Sequence, residues 1–167
     1  NNVVVLSKDE ISHLLSLTFK NPTWEKIRDV FCCNCFLGLR ISDLKTLRKT
    51  DFYLDEDGDY ILIKENKKTG VKVMIPIVQT PLEILKKYDF DLPKFSDQYF
   101  NREIKKLLED KDLFGEPVTK IRRVYRDIQD TDVPRRNLIT SHTCRRTFVT
   151  LGLSNNIPIN SLMLSSG

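Results

Sequence analysis

The sequence predicts an α+β fold, mostly helical with a small three-stranded antiparallel sheet at its edge. Three observations carry that prediction. Apolar residues recur at helical spacing over residues 8–47 and again from Thr80 onward. Between these stretches the period drops to two, in segments rich in β-formers separated by a polar turn. The 167 residues contain 40% hydrophobic and 30% charged side chains, enough to bury one core of ordinary size, with no internal repeat and no long linker.

The elements follow in order. Ser7 with Glu10 three positions on is a capping box ahead of Ile11, Leu14, Leu15 and Leu17, which marks the first helix. Asn21 caps and Pro22 opens a second helix through Trp24, Ile27, Val30 and Phe31 to Leu37. That helix is apolar nearly all round, so it is the buried central one. Gly38 ends it, and Ile41–Leu47 forms a short helix after the turn, with Arg40 at its start.

Residues 59–64 and 71–77 are two strands joined by the polar turn Glu65–Gly70, and Asp51–Leu54 can add a third. Helical patterning returns at 80–87, 96–109, 116–126, 141–153 and 158–165, the third of these alternatively an extended basic segment.

Composition excludes several classes of function. No apolar run approaches a membrane span and no signal peptide opens the chain. Three of the four cysteines fall within four positions (Cys32, Cys33, Cys35), a pattern of a reducing compartment rather than a secreted disulfide framework. The expected location is cytoplasmic. Cys32-x-x-Cys35 has zinc-like spacing, but no second ligand pair accompanies it and it lies in the most apolar helix, so no metal is expected there.

The net charge of +4 is unevenly spread. Residues 1–100 carry 15 basic and 15 acidic side chains, whereas residues 101–150 carry 12 and 8. The excess includes Lys120, Arg122, Arg123, Arg126, Arg135, Arg136, Arg145 and Arg146, and arginine suits bidentate phosphate contacts.

Three features can carry chemistry. In Ser141-His142-Thr143-Cys144-Arg145-Arg146-Thr147-Phe148, His142 and Arg145 share one helix face, where a guanidinium fork and a helix start can hold a phosphate. The same spacing also describes a capping-region His over a surface Arg. Arg40 emerges from an apolar neighbourhood with Asp43 one turn on, and either meets an anion or closes the turn on Asp43. The tip Lys67-Lys68-Thr69-Gly70 either protects a sheet edge or delivers a mobile ammonium as a general acid.

The order of these three segments, Gly-Leu-Arg-Ile-Ser-Asp-Leu at 38–44, Lys-Lys-Thr-Gly-Val-Lys-Val-Met-Ile-Pro-Ile at 67–77 and His-Thr-Cys-Arg-Arg-Thr-Phe-Val-Thr at 142–150, resembles the catalytic domain of the tyrosine recombinases, the phage-integrase family. The resemblance runs across nearly the whole chain. It implies a tyrosine recombinase catalytic core over 1–167 and strand cleavage and rejoining of DNA through a 3′-phosphotyrosyl intermediate, as in integration or excision of a mobile element. Arg40 and Arg145 would clamp the non-bridging phosphate oxygens, and Lys68 (with Lys67 as the alternative) would protonate the departing 5′ oxygen. His142 would assist proton movement at the attacking tyrosine, and Asp43 would orient the site from behind. Lys67, Arg122, Arg123 and Arg146 would contact DNA.

The implied partners are double-stranded attachment sites, a homotetramer on DNA and accessory DNA-bending proteins, with no membrane and no cofactor. Arg146 stands where the family often has His. All five tyrosines (Tyr53, Tyr60, Tyr88, Tyr99, Tyr125) precede the His142 segment, whereas the family's nucleophile follows it. The expectation is therefore a fragment without the nucleophile segment and without the N-terminal core-binding domain, inactive by itself. The alternative is a non-catalytic DNA-binding relative. A type IB topoisomerase-like enzyme is a third reading, disfavoured by the His142–Phe148 segment.

Overall fold

The computed structural model describes residues 3–65, 69–124 and 127–155. Among the described residues, six α-helices are α1 (Lys8–Ser16), α2 (Pro22–Leu37), α3 (Ile41–Lys45), α4 (Gln79–Lys87), α5 (Asp97–Asp110) and α6 (Ser141–Ser154). The five strands are β1 (Phe52–Leu54), β2 (Tyr60–Glu65), β3 (Lys72–Pro76), β4 (Pro117–Val124) and β5 (Asp127–Pro134). None of the described helices is long and apolar enough to cross a membrane.

The local signals act as the sequence predicts. Ser7 and Glu10 form the reciprocal capping box of α1. Asn21 accepts from the Thr23 N–H at 3.0 Å, and Pro22 occupies the first turn of α2. Every residue of α2 from Ile27 to Cys35 is buried, and this helix packs against α1, α4, α5 and α6. Phe31 on α2 and Phe100 on α5 stack with their centroids 6.4 Å apart at the centre of the core.

Two charged residues are buried in α2 and are paired. Arg28 contacts Asp29 at 2.7 Å and donates to the Leu17 carbonyl. Asp29 also accepts from Lys87 at 2.7 Å and from the Tyr88 hydroxyl at 2.8 Å. Burial would depress the Lys87 ammonium, but its bonds to Asp29 and Glu25 hold it above the usual lysine range. The network fastens α4 to α2, and removing Asp29 would leave the buried Arg28 without its closest carboxylate at a cost of about 3–5 kcal/mol.

The predicted three-stranded sheet has the order β1-β2-β3, all antiparallel, with Phe52 opposite Leu62 and Leu62 opposite Ile75. In β3 the buried Val73 and Ile75 alternate with exposed Lys72, Met74 and Pro76, as one covered face requires. Lys64 fixes the sheet to the turn after α3: its ammonium donates to the Thr46 carbonyl at 3.1 Å and to Asp51 at 3.3 Å.

The helical expectation over 116–126 is corrected, and the extended alternative is the one observed. Residues 117–124 form β4, which pairs with β5 from Pro117–Pro134 to Val124–Asp127 as a second, two-stranded sheet. Val118, Ile121 and Val124 recur every three residues and mimic a helix stripe. Their β-branching and the flanking prolines favour extended backbone instead. The helix expected over 158–165 lies outside the described residues.

Glu103 on α5 is buried and accepts from Trp24 at 3.0 Å, Arg102 at 2.8 Å and Lys106 at 3.1 Å. The Trp24 and Arg102 hydrogen bonds outweigh burial and pull its carboxyl down to about 2. A carboxyl depressed on folding contributes stability above its unfolded value of about 4.3 and loses it as pH falls through the folded value. Glu103→Gln should therefore lower Tm at pH 7, and the gap to the parent chain should close between pH 4.3 and 2. Thermal melts across that range check this.

Candidate functional site

Two elements separated by most of the chain build the candidate site: the α2–α3 turn and the first two turns of α6. Gly38 closes α2 in the left-handed region at φ 64°, its N–H donating to the Asn34 carbonyl at 2.8 Å. A Cβ at this position would collide with the ring of Phe148 on α6. Glycine is required twice over, for the backbone and for the close approach of the two helices.

Arg40 follows with extended backbone (φ −64°, ψ 147°) as the N-cap of α3. Its carbonyl accepts from Asp43 N–H at 2.9 Å and Leu44 N–H at 2.8 Å. The Arg40 side chain is half-buried and that of Asp43 is buried.

From α6, Arg145 donates through Nη1 to the Gly38 carbonyl at 3.2 Å, a contact across 107 residues of sequence. Burial lowers the Arg145 pKa, the Arg40 charge lowers it further, and the Asp43 charge opposes both. Arg145 thus lies within electrostatic reach of both Arg40, which repels it, and Asp43, which attracts it.

The α6 start is held from two sides. Thr140 and Thr143 cap it reciprocally, and Asn101 of α5 accepts from the Ser141 N–H at 2.8 Å. Its inner face is fixed by Thr147, which accepts from Leu6 N–H at 3.0 Å, and by Cys144, whose thiol lies 3.5 Å from the Phe31 carbonyl. His142 is exposed on the first turn, three residues before Arg145, and Arg146 is exposed beside it.

The other sequence-derived candidates fall differently. Lys67 and Lys68 lie outside the described residues. Arg122 and Arg123 are in β4, opposite Gln129 and Ile128 of β5, in the sheet separate from β1-β2-β3. Two members of the basic stretch are structural. Arg135 binds Glu10 at 2.5 Å, Glu116 at 3.0 Å and the Val5 carbonyl, and Arg136 binds Asp112 at 3.4 Å and the Leu113 carbonyl at 3.3 Å. Both fasten the base of the β4–β5 hairpin to the core.

Among the described tyrosines, Tyr88 is tied to Asp29, with burial and that bond raising its phenol above the usual range. Tyr60 lies against Phe90 and Tyr99 stacks on Phe95, while Tyr53 is exposed on β1. Cys32, Cys33 and Cys35 are buried in α2, and burial pushes their thiols up, which suits packing rather than metal ligation or nucleophilic attack. Among the described residues no group of three or more His, Cys, Asp or Glu could hold a metal ion. Sequence reasoning passed over Asn34, whose signal was a lone amide inside the most apolar helix.

No protein-family sequence model matches the chain, and no curated protein matches it in sequence. The fold is matched by solved structures. The chain has the fold of a tyrosine recombinase catalytic domain. One match is the XerH site-specific recombinase bound to its difH substrate in a pre-cleavage complex, at 15% identity and a TM-score of 0.63, covering 96% of this chain and 46% of that one. Another is the Tn1549 transposon integrase in complex with circular intermediate DNA, at 16% identity and a TM-score of 0.59, covering 100% of this chain and 58% of that one. The chain spans about half the length of the structures it matches.

Gly38→Ala should destabilise the fold by about 2–4 kcal/mol, from left-handed strain and overpacking against Phe148 together. Gly58 is the control, since it has φ 84° but open space around it. Gly58→Ala should cost only about 1–2 kcal/mol of strain. Urea unfolding of both variants measures the difference.

Proposed function

We propose that this chain is the catalytic core of a tyrosine-type site-specific DNA recombinase acting in integration or excision of a mobile element. The observation that carries the proposal is that Arg145 of α6 docks on the Gly38 carbonyl, two residues before Arg40, in a fold shared with DNA-bound recombinases. Attack of a tyrosine on a phosphodiester adds negative charge to the non-bridging oxygens in a pentacoordinate state. Two preorganised guanidiniums stabilise that charge more than the ground state's single charge. Asp43, whose side chain is buried, orients the pair without reaching DNA.

The remaining steps fall to the other candidates. Lys68, between β2 and β3 in the sequence, protonates the departing 5′ oxygen, with Lys67 as the alternative. His142 assists the proton leaving the attacking tyrosine. The phosphorus–5′-oxygen bond breaks as the phosphotyrosyl bond forms. A 5′-hydroxyl then reverses the exchange without an external energy source. All five tyrosines of the sequence precede α6, and this reading takes none of them as the nucleophile. Arg122, Arg123 and Arg146 contact the DNA backbone, and the working assembly is a homotetramer on two attachment sites, aided by DNA-bending proteins.

Titration of the chain with short duplex DNA at low salt tests the proposal. Arg40→Ala and Arg145→Ala should each weaken binding by about tenfold or more, as loss of a charge-assisted contact does. Arg146→Ala should weaken it modestly and lower the salt slope by about one. In a chain that carries the attacking tyrosine, Arg40→Ala should also abolish the covalent 3′ adduct on a nicked substrate. Unchanged binding by both arginine variants overturns the assignment. Weakened binding with an undiminished adduct would leave these arginines as DNA contacts only.

A further inference from the structure

Asn34 is 1% exposed in the middle of α2, where an amide is costly unless every polar atom is engaged. Its side chain is spent on a single residue. Oδ1 accepts from the Leu39 N–H at 3.0 Å, and Nδ2 donates to the Leu39 carbonyl at 3.0 Å. The end of α2 does not need this clamp, because Gly38 already donates to the Asn34 main-chain carbonyl at 2.8 Å.

The consequence lies in which peptide planes are held. The Gly38 carbonyl and the Leu39 N–H belong to one planar unit. Arg145 grips that unit at its oxygen, 3.2 Å away, and Asn34 grips it at its nitrogen. The next unit, from the Leu39 carbonyl to the Arg40 nitrogen, is held by Asn34 as well. Arg40 therefore leaves a backbone fixed on both preceding planes, and Arg145 is registered on the same rail.

We infer that Asn34 is a positioning residue, which sets the spacing of Arg40 and Arg145 so that both reach the oxygens of one phosphodiester. The inference rests on the two-arginine reading above. It adds a residue that touches no DNA and acts through the Gly38–Leu39–Arg40 backbone. An apolar residue of similar size would continue α2 but would leave the Leu39 N–H and carbonyl unpaired and both arginines free to drift.

A double-mutant cycle on the 167-residue chain tests this, with short duplex DNA at low salt as the probe. Folding is verified by circular dichroism and melting. Asn34→Ala should weaken binding by about fivefold or more, and adding Arg40→Ala should cause little further loss, because both act through one geometry. Should Asn34→Ala fail to fold, Asn34→Ser replaces it. The serine hydroxyl is satisfied by the helix carbonyl four residues back and cannot span the Leu39 groups. Binding within about twofold of the parent, or losses that simply multiply, overturns the inference. If Arg40→Ala and Arg145→Ala leave binding unchanged, the two-arginine reading falls and this inference falls with it. If they weaken binding while the Asn34 variants do not, the inference alone falls.

Discussion

Gly38 lies where the end of α2 meets the Phe148 ring of α6, and the candidate site is built outward from that contact. With no Cβ, the backbone turns left-handed and lets the ring approach closely, so the two helices meet at a separation no larger residue allows. That separation brings the Arg145 guanidinium to the Gly38 carbonyl and holds it beside Arg40. The buried face of α6, through Cys144 and Thr147, then locks the helix in register on α2 and on the N-terminal segment. One contact thus serves both packing and placement of charge.

The same economy governs the basic residues of the second half. Arg135 and Arg136 are held by carboxylates and carbonyls and act as struts for the β4–β5 hairpin. Arg145 instead has burial and the Arg40 charge set against it, with Asp43 only partly compensating. A chemically uniform run of arginines is divided by environment, Arg135 and Arg136 into ion pairs with carboxylates and Arg145 onto the Gly38 carbonyl.

Much of the fold was legible because its signals are local. Capping at Ser7 and Asn21, the apolar circumference of α2, and the alternation of Val73 and Ile75 each depend on residues a few positions apart. The β4–β5 hairpin was ambiguous for a physical reason. Val118, Ile121 and Val124 satisfy a helical spacing, and only pairing with β5 selects the extended form. The acidic strand Asp127–Pro134 that supplies the pairing reads as a polar loop by itself.

The sequence by itself determined the central helix, its stop at Gly38, the β2–β3 hairpin, and the identity of Arg40, Asp43, His142 and Arg145 as candidates. These follow from periodicity, capping chemistry and the order of short motifs. Only the tertiary structure decided which arginines are internal struts, that Asn34 engages Leu39 with its whole side-chain amide, and that Arg145 reads the Gly38 carbonyl. Hydrogen bonds across such distances in the chain leave no periodic trace. They arise only once burial of α2 forces the residues around it into a single arrangement.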